Sequence, residues 1–407
     1  MAPIPKLAMI PSGYKAGKIY SVLPTNGIGD FDFTRASSAT RVNASGLIET
    51  VATGVPRLEY PLVNGAVNGC PSLLLEPQST NLALYSEDFS NSYWTTSRIE
   101  TPYISDVLSP EGALNAYTLE ISSGETNGGG VFKTGLSISG DNSFSVFAKK
   151  KTSKYLALGD GNLTVNGVWF DLENGTIGTQ YNAIGEIEEF GNGWYKCTMK
   201  YTLTSSNAKF IYQSNTNGAT SLGVVGGDSV YIFGAQLEQN SYPTSYIPTS
   251  GSAVTRVADA CTNGGNDQVI NNIEGTIFIN CDFINNNGVQ VLCSPNDNAF
   301  NKRIEIWANS GLVTGFIGGS SNITIGSSAL VNGNHKIALA YKSGNSSFYI
   351  DGVLIGSKSD SFTISALTQL TLGYFNGNQY MSESKTKDVR VYNTALTDAE
   401  LITLTTL

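Results

Sequence analysis

Charge is scarce in this chain of 407 residues: Asp, Glu, Lys and Arg make up 14%, with Lys+Arg 24 against Asp+Glu 33 and a formal net charge of -9. Phosphate binding needs a clustered excess of Lys and Arg, so a nucleic-acid partner is excluded. The one basic run, Lys149-Lys150-Lys151, reads as a solvated strand end. No apolar stretch approaches the roughly 18 residues of a membrane-spanning helix, which argues against membrane insertion. Histidine occurs once, at His335, and the five cysteines (Cys70, Cys197, Cys261, Cys281, Cys293) form neither a CxxC nor a Cys/His cluster. No metal site and no cofactor are expected, and free thiols buried as small hydrophobes suit synthesis in a reducing compartment. Helical periodicity is almost absent, so helices should be rare.

Ser, Thr, Asn and Gly fill the polar positions instead. From about residue 81, short apolar and aromatic runs are punctuated by Gly and Asn every ten residues or so, the pattern of an all-β sandwich. In Trp194-Tyr195-Lys196-Cys197-Thr198-Met199-Lys200-Tyr201 strict alternation places Tyr195, Cys197, Met199 and Tyr201 on the core face. A Pro- and Ser-rich joint, Ser241 to Ser252, leads to a second β-rich region beginning near Cys261, with Asp351-Gly352 as a hairpin turn. Thr397-Asp398-Ala399-Glu400 is a capping box that should start a short terminal helix through Leu404. The expected fold is all-β, with an N-terminal extended arm over 1–80 and two antiparallel β-sandwich (jelly-roll) domains over 81–250 and 251–407.

The arm is the least self-sufficient part. FTRASSATRVNASGLIETVATGVPRLE, from Phe33 to Glu59, and LLLEPQSTNLAL, from Leu73 to Leu84, have no strand or helix period, yet are too apolar for a solvated linker. Such a segment needs a partner to fold against, and its wording closely resembles the N-terminal arms of phage virion fibre and appendage proteins. The resemblance implies anchoring through Phe33, Arg35, Arg41, Leu47 and Leu58 to other virion proteins of the capsid or tail. It also implies a homotrimer whose subunits order the arm. The N-terminus, broken by Pro3, Pro5 and Pro11, lacks the apolar centre of a secretory signal, which agrees with a protein made in the host cytoplasm and released by lysis on a virion surface.

Two further resemblances accompany it. Ser86-Glu87-Asp88-Phe89, Gly193-Trp194-Tyr195 and Gly234-Ala235-Gln236-Leu237-Glu238 make the first sandwich similar to the carbohydrate-binding-module-like domains of phage appendages. Calcium is frequent in the sugar-binding relatives, but Ser90 and Gly234-Ala235-Gln236 replace the expected acidic ligands. His335-Lys336-Ile337-Ala338-Leu339, Tyr349-Ile350-Asp351-Gly352 and Val391-Tyr392-Asn393-Thr394-Ala395-Leu396-Thr397 make the second resemble a laminin-G or concanavalin A-like domain. These imply possible contact with host-surface glycans.

Sugar sites use aromatic rings as platforms. Trp169 and Trp307, with alternating polar neighbours, and Tyr374 and Asn376, in an expected loop, are the carbohydrate-binding candidates, whereas Trp94 and Trp194 read as core. Glu186 and Glu188 would lie on one strand face at roughly 7 Å, a spacing compatible with glycoside hydrolysis and equally with an exposed acidic strand. His335 has no Ser or Cys neighbour and reads as structural. The expectation is a non-enzymatic bacteriophage head or tail fibre for host attachment; a glycan-degrading tailspike and a secreted bacterial adhesin are the alternatives.

Overall fold

The structure is a computed structural model that describes residues 3–136, 138–203, 208–219, 223–284, 288–297, 302–364, 366–375, 378–379 and 384–407. The strands expected from alternation are present. Cys197, Met199 and Tyr201 are buried and Tyr195 packs against the same core. Asp351 and Gly352 turn the hairpin with φ of 50° and 80°, a conformation that Asp tolerates and Gly adopts freely. Thr397 caps the helix Asp398–Thr405 through a complete capping box.

Residues 82–250 form a module of two six-stranded antiparallel sheets. One runs Tyr103–Ile104, Tyr117–Glu120, Ser229–Glu238, Gly140–Lys150, Trp194–Leu203, Ile184–Glu189; the other runs Thr95–Ser97, Gly130–Lys133, Lys209–Ser214, Tyr155–Asp160, Gly167–Asp171, Thr176–Tyr181. Between them lies a core that includes Leu119, Val146, Leu158, Phe170 and Met199.

The second sandwich differs from expectation in where its strands come from. Strand Ser384–Tyr392 has Glu274–Phe283 on one edge, while Leu7–Met9 and Ser72–Leu75 lie end to end along the other. Leu7 pairs with Val391 and Leu73 with Thr386. Phe31–Thr34 joins the facing sheet beside Ala260–Gly264, with Phe33 opposite Cys261. Leu7, Phe31, Phe33, Leu58, Leu73 and Leu75 thereby enter one core with Ile277, Leu339 and Val391.

The expectation of a separate extended arm over 1–80 is corrected by these pairings. The segment does need a partner, and the partner is the C-terminal half of its own chain. Residues 82–250 are an insertion in this composite sandwich: Ser79–Asn81 and Val254–Arg256, where the chain enters and leaves the module, pair as a two-stranded neck. The hairpin Ala39–Val42 with Ile48–Val51 packs onto the module, placing Ile48 beside Phe147, Phe190, Trp194 and Tyr246.

Candidate functional site

At the base of the neck, charges that the sequence scatters across 224 positions converge. Arg57 donates to Glu76 and to Asp259, Arg35 Nη1 reaches Asp259 Oδ1 at 3.1 Å, and Arg256 Nη1 lies 2.9 Å from Glu76 Oε2, all with side chains essentially inaccessible to solvent. Ser245, from the exit of the inserted module, donates its N–H (2.7 Å) and Oγ (2.6 Å) to Glu76. Burial alone would raise the Glu76 carboxyl, but the guanidinium groups of Arg256 and Arg57 and the Ser245 hydrogen bonds outweigh it and hold the group well below the ordinary carboxylate range. For Arg57 burial acts downward, and Asp259 with Glu76 reverses it. This cluster fixes the module to the sandwich.

It also sets an acid response. A carboxyl depressed in the folded state stabilises fully above its unfolded value of about 4.3, and that stability is lost as pH falls toward the folded value. Burial raises Glu87, Glu111, Glu305 and Asp388, which tilts the whole-protein profile the other way. The informative comparison is therefore with Glu76→Gln. Urea midpoints of wild type and variant should converge between about pH 5 and pH 2, because only the wild type loses this contribution. Parallel curves would show that Glu76 is not held ionised.

The residues expected to anchor the arm are placed accordingly. Phe33 and Leu58 are core, and Arg35 belongs to the charge cluster. Arg41 pairs with Glu49 (3.2 Å) and donates to the Tyr14 hydroxyl (3.1 Å). Leu47 lies over the turn at Gly112, where an added Cβ would sit 2.9 Å from its Cδ1.

Of the carbohydrate candidates, Trp169 is fully buried on the sheet face opposite the module core, beside Ala157 and Tyr212 and edge-on to Tyr181. The next row of this face has Gly159 and Gly167, and a Cβ on either would collide with Leu163, whose loop closes over the aromatic cluster. Trp169 is therefore not an exposed sugar platform, although its Nε1 finds no hydrogen-bond partner among the described residues. Trp307 is half-buried on strand Arg303–Asn309. Tyr374 lies in a two-residue strand paired with Asn378–Gln379, its side chain outside the described set, and Asn376 lies outside the described residues. His335 is structural in its contacts: Nε2 donates to the Val331 carbonyl (3.0 Å) and Nδ1 faces Asp351 Oδ2 (2.6 Å).

Glu186 and Glu188 do share one face, and that face lines a cleft of about 620 Å³ at the seam of module and sandwich. Beside them on the same face stand Lys196 and Lys200 of the neighbouring strand, with Glu188 in register with Lys196 and Glu186 ion-paired to Lys200. The composite sandwich contributes Asn332 and Lys385. Carboxylates that accept and ammonium groups that donate thus alternate along a wall, with little net charge, which suits a hydroxyl-rich neutral ligand.

Residues 272–402 match the family model described as the concanavalin A-like lectin/glucanases superfamily, Laminin_G_3. Among curated proteins no match is found. Solved structures similar to part of the chain include the CBM40 of the Ruminococcus gnavus IT-sialidase (19% identity over 33% of this chain and 84% of that one, TM-score 0.30). Another is domain 4 of AbnA, a GH43 extracellular arabinanase from Geobacillus stearothermophilus, in complex with arabinotriose (17%, 41% and 83%, TM-score 0.30). A third is the SAP-like pentraxin of Limulus polyphemus (18%, 32% and 68%, TM-score 0.26). Residues 272–402, a β-sandwich region, are thereby similar to the lectin/glucanase type that the laminin-G resemblance implied.

Proposed function

We propose that this protein is a non-catalytic glycan-binding protein in which the seam cleft grips a neutral polysaccharide. The observation that carries this reading is the lectin/glucanase-type sandwich at residues 272–402, which forms one wall of that cleft through Asn332 and Lys385. Glu186 is engaged by Lys200, so the two carboxyls are read as ligand acceptors and not as an acid and a nucleophile. Binding to host-surface polysaccharide, followed by calorimetry, should weaken at least tenfold in Lys196→Ala/Lys200→Ala, with no reducing ends released by either protein. Unchanged affinity would remove the cleft from the proposal, and release of reducing ends would replace it with the tailspike reading.

The place of action proposed is a bacteriophage virion, as a head or tail fibre in three copies; its support is the sequence resemblance of residues 33–59 and 73–84. Because Phe33, Arg35 and Leu58 are consumed within the chain, attachment is assigned to the exposed apolar residues Ile4, Ile10, Tyr20 and Val22 near the N-terminus. Immunogold labelling of intact particles should decorate the fibre, and Ile10→Asp/Val22→Asp should abolish incorporation while leaving the melting temperature unchanged. Unlabelled particles would rule the placement out.

A further inference from the structure

The composite sandwich has a second concave site, independent of the seam. Along Glu274–Phe283, Gly333–Lys342 and Ser384–Tyr392, Ile277, Ile279, Leu339, Val389 and Val391 point into the core. The alternate residues face outward, beneath the C-terminal helix. Register places Lys336, Asn280 and Asp388 in one row across three adjacent strands, a span of about 10 Å at ladder spacing. The next row holds Ala338, Phe278 and Arg390. Helix residues Glu400 and Thr403 form the opposite wall of a groove of about 660 Å³.

Three features make this groove a built site. Ala399 and Leu404 give its helix wall accessible apolar side chains, while the buried rings of Phe278 and Tyr392 close its base, the Arg390 guanidinium lying 5.5 Å from the Phe278 ring centre. Asp388 is 9% exposed; its Oδ2 pairs with Arg390 Nη2 at 2.6 Å, but its Oδ1 is buried and finds no hydrogen-bond partner among the described residues. A buried acceptor without a donor costs free energy that a ligand hydroxyl would recover. Lys336 donates one N–H to the Thr406 carbonyl (2.7 Å) and has three in all. Burial, against the pull of Arg390, also raises the Asp388 carboxyl. Arg390 and Lys336 balance Asp388 and Glu400, so the groove does not select for charge.

We infer that this groove binds a single neutral hexose unit, one hydroxyl donating to Asp388 Oδ1, another accepting from Lys336, and the apolar ring face lying against Ala399 and Leu404 of the helix wall. The volume lies within the range of small-molecule sites, and the mix of apolar wall, acid and cation is the chemistry that sugar hydroxyls and C–H faces require. This second site goes beyond the seam cleft and shares none of its residues with it.

Saturation-transfer difference NMR on the full chain tests it, with D-glucose, D-galactose, D-mannose and N-acetyl-D-glucosamine as separate probes and their methyl glycosides to distinguish a free sugar from a glycan-linked unit. At least one probe should give a signal in the wild type. That signal should fall at least tenfold in Asp388→Asn, which keeps side-chain volume, and in Thr403→Trp, which fills the groove from an exposed helix position. It should persist in Lys196→Ala/Lys200→Ala. No signal from any probe, or a signal surviving in both groove variants, would overturn the inference. Loss confined to the lysine double variant would assign the sugar to the seam and equally overturn it.

Discussion

Arg57→Met is expected to destabilise the composite sandwich by about 3–5 kcal/mol, the cost of removing one partner from a buried ion cluster. The side chain is fully buried and bridges Glu76, of the N-terminal segment, to Asp259, beyond the inserted module. Without it the two buried carboxylates retain only Arg35 and Arg256 as cationic partners, and Arg256 meets Glu76 without hydrogen-bond alignment. At about 2–4 °C per kcal/mol for a domain of this size, the melting temperature should drop by about 6–20 °C. Arg57→Lys should recover only part of this, because a single ammonium cannot reproduce the planar fork that serves both acids. Calorimetric melting decides it: a midpoint for Arg57→Met within about 2 °C of wild type, less than 1 kcal/mol, would mean that the cluster is not what couples neck to sandwich.

The same arginine shows where reading the sequence stops. Arg35 and Arg57 stand in the segment that resembles an anchoring arm, and an arginine there reads naturally as a contact to another protein. Their acids, Asp259 above all, lie 224 and 202 residues away, and no local pattern announces a pairing at that distance. Leu7–Met9 and Ser72–Leu75 likewise span three and four residues, too short for a two-residue period to emerge, so their docking on Ser384–Tyr392 left no trace in the pattern. Longer strands were legible, as were the capping box at Thr397 and the turn at Asp351-Gly352.

The sites divide the same way. Alternation correctly put Glu186 and Glu188 on one face, and they do line the seam cleft. For Trp169 the neighbours suggested a platform and gave no sign of its cover, because the Leu163 loop settles there only where Gly159 and Gly167 leave room. The groove under the helix could have been found. In Lys385-Thr386-Lys387-Asp388-Val389-Arg390-Val391-Tyr392 the valines mark the core face, and Asp388 and Arg390 on the other face stand where a helix announced by its capping box must pack.

Removal of residues 1–250 should have the largest effect of all. A chain of residues 251–407 keeps the region that matches the lectin/glucanase family, yet it lacks both strands that cover the free edge of Ser384–Tyr392. It also loses Leu7, Phe31, Phe33, Leu58, Leu73 and Leu75 from the core. Burying one such side chain contributes about 1.5–3 kcal/mol, and six together reach about 9–18 kcal/mol. That matches or exceeds the about 5–15 kcal/mol that stabilises a whole domain. The fragment should therefore collapse without fixed side-chain packing and aggregate through its bare edge. Residues 82–250 retain both of their own sheets and the core between them, and should unfold cooperatively, weakened only where Ile48 no longer covers Phe147 and Trp194. Adding a peptide of residues 1–81 to the C-terminal fragment should restore near-ultraviolet circular dichroism, since the missing strands are supplied in trans. A sharp, unaided melting transition from residues 251–407 would show instead that the N-terminal strands decorate a sandwich already complete, and would return the segment to its reading as an arm.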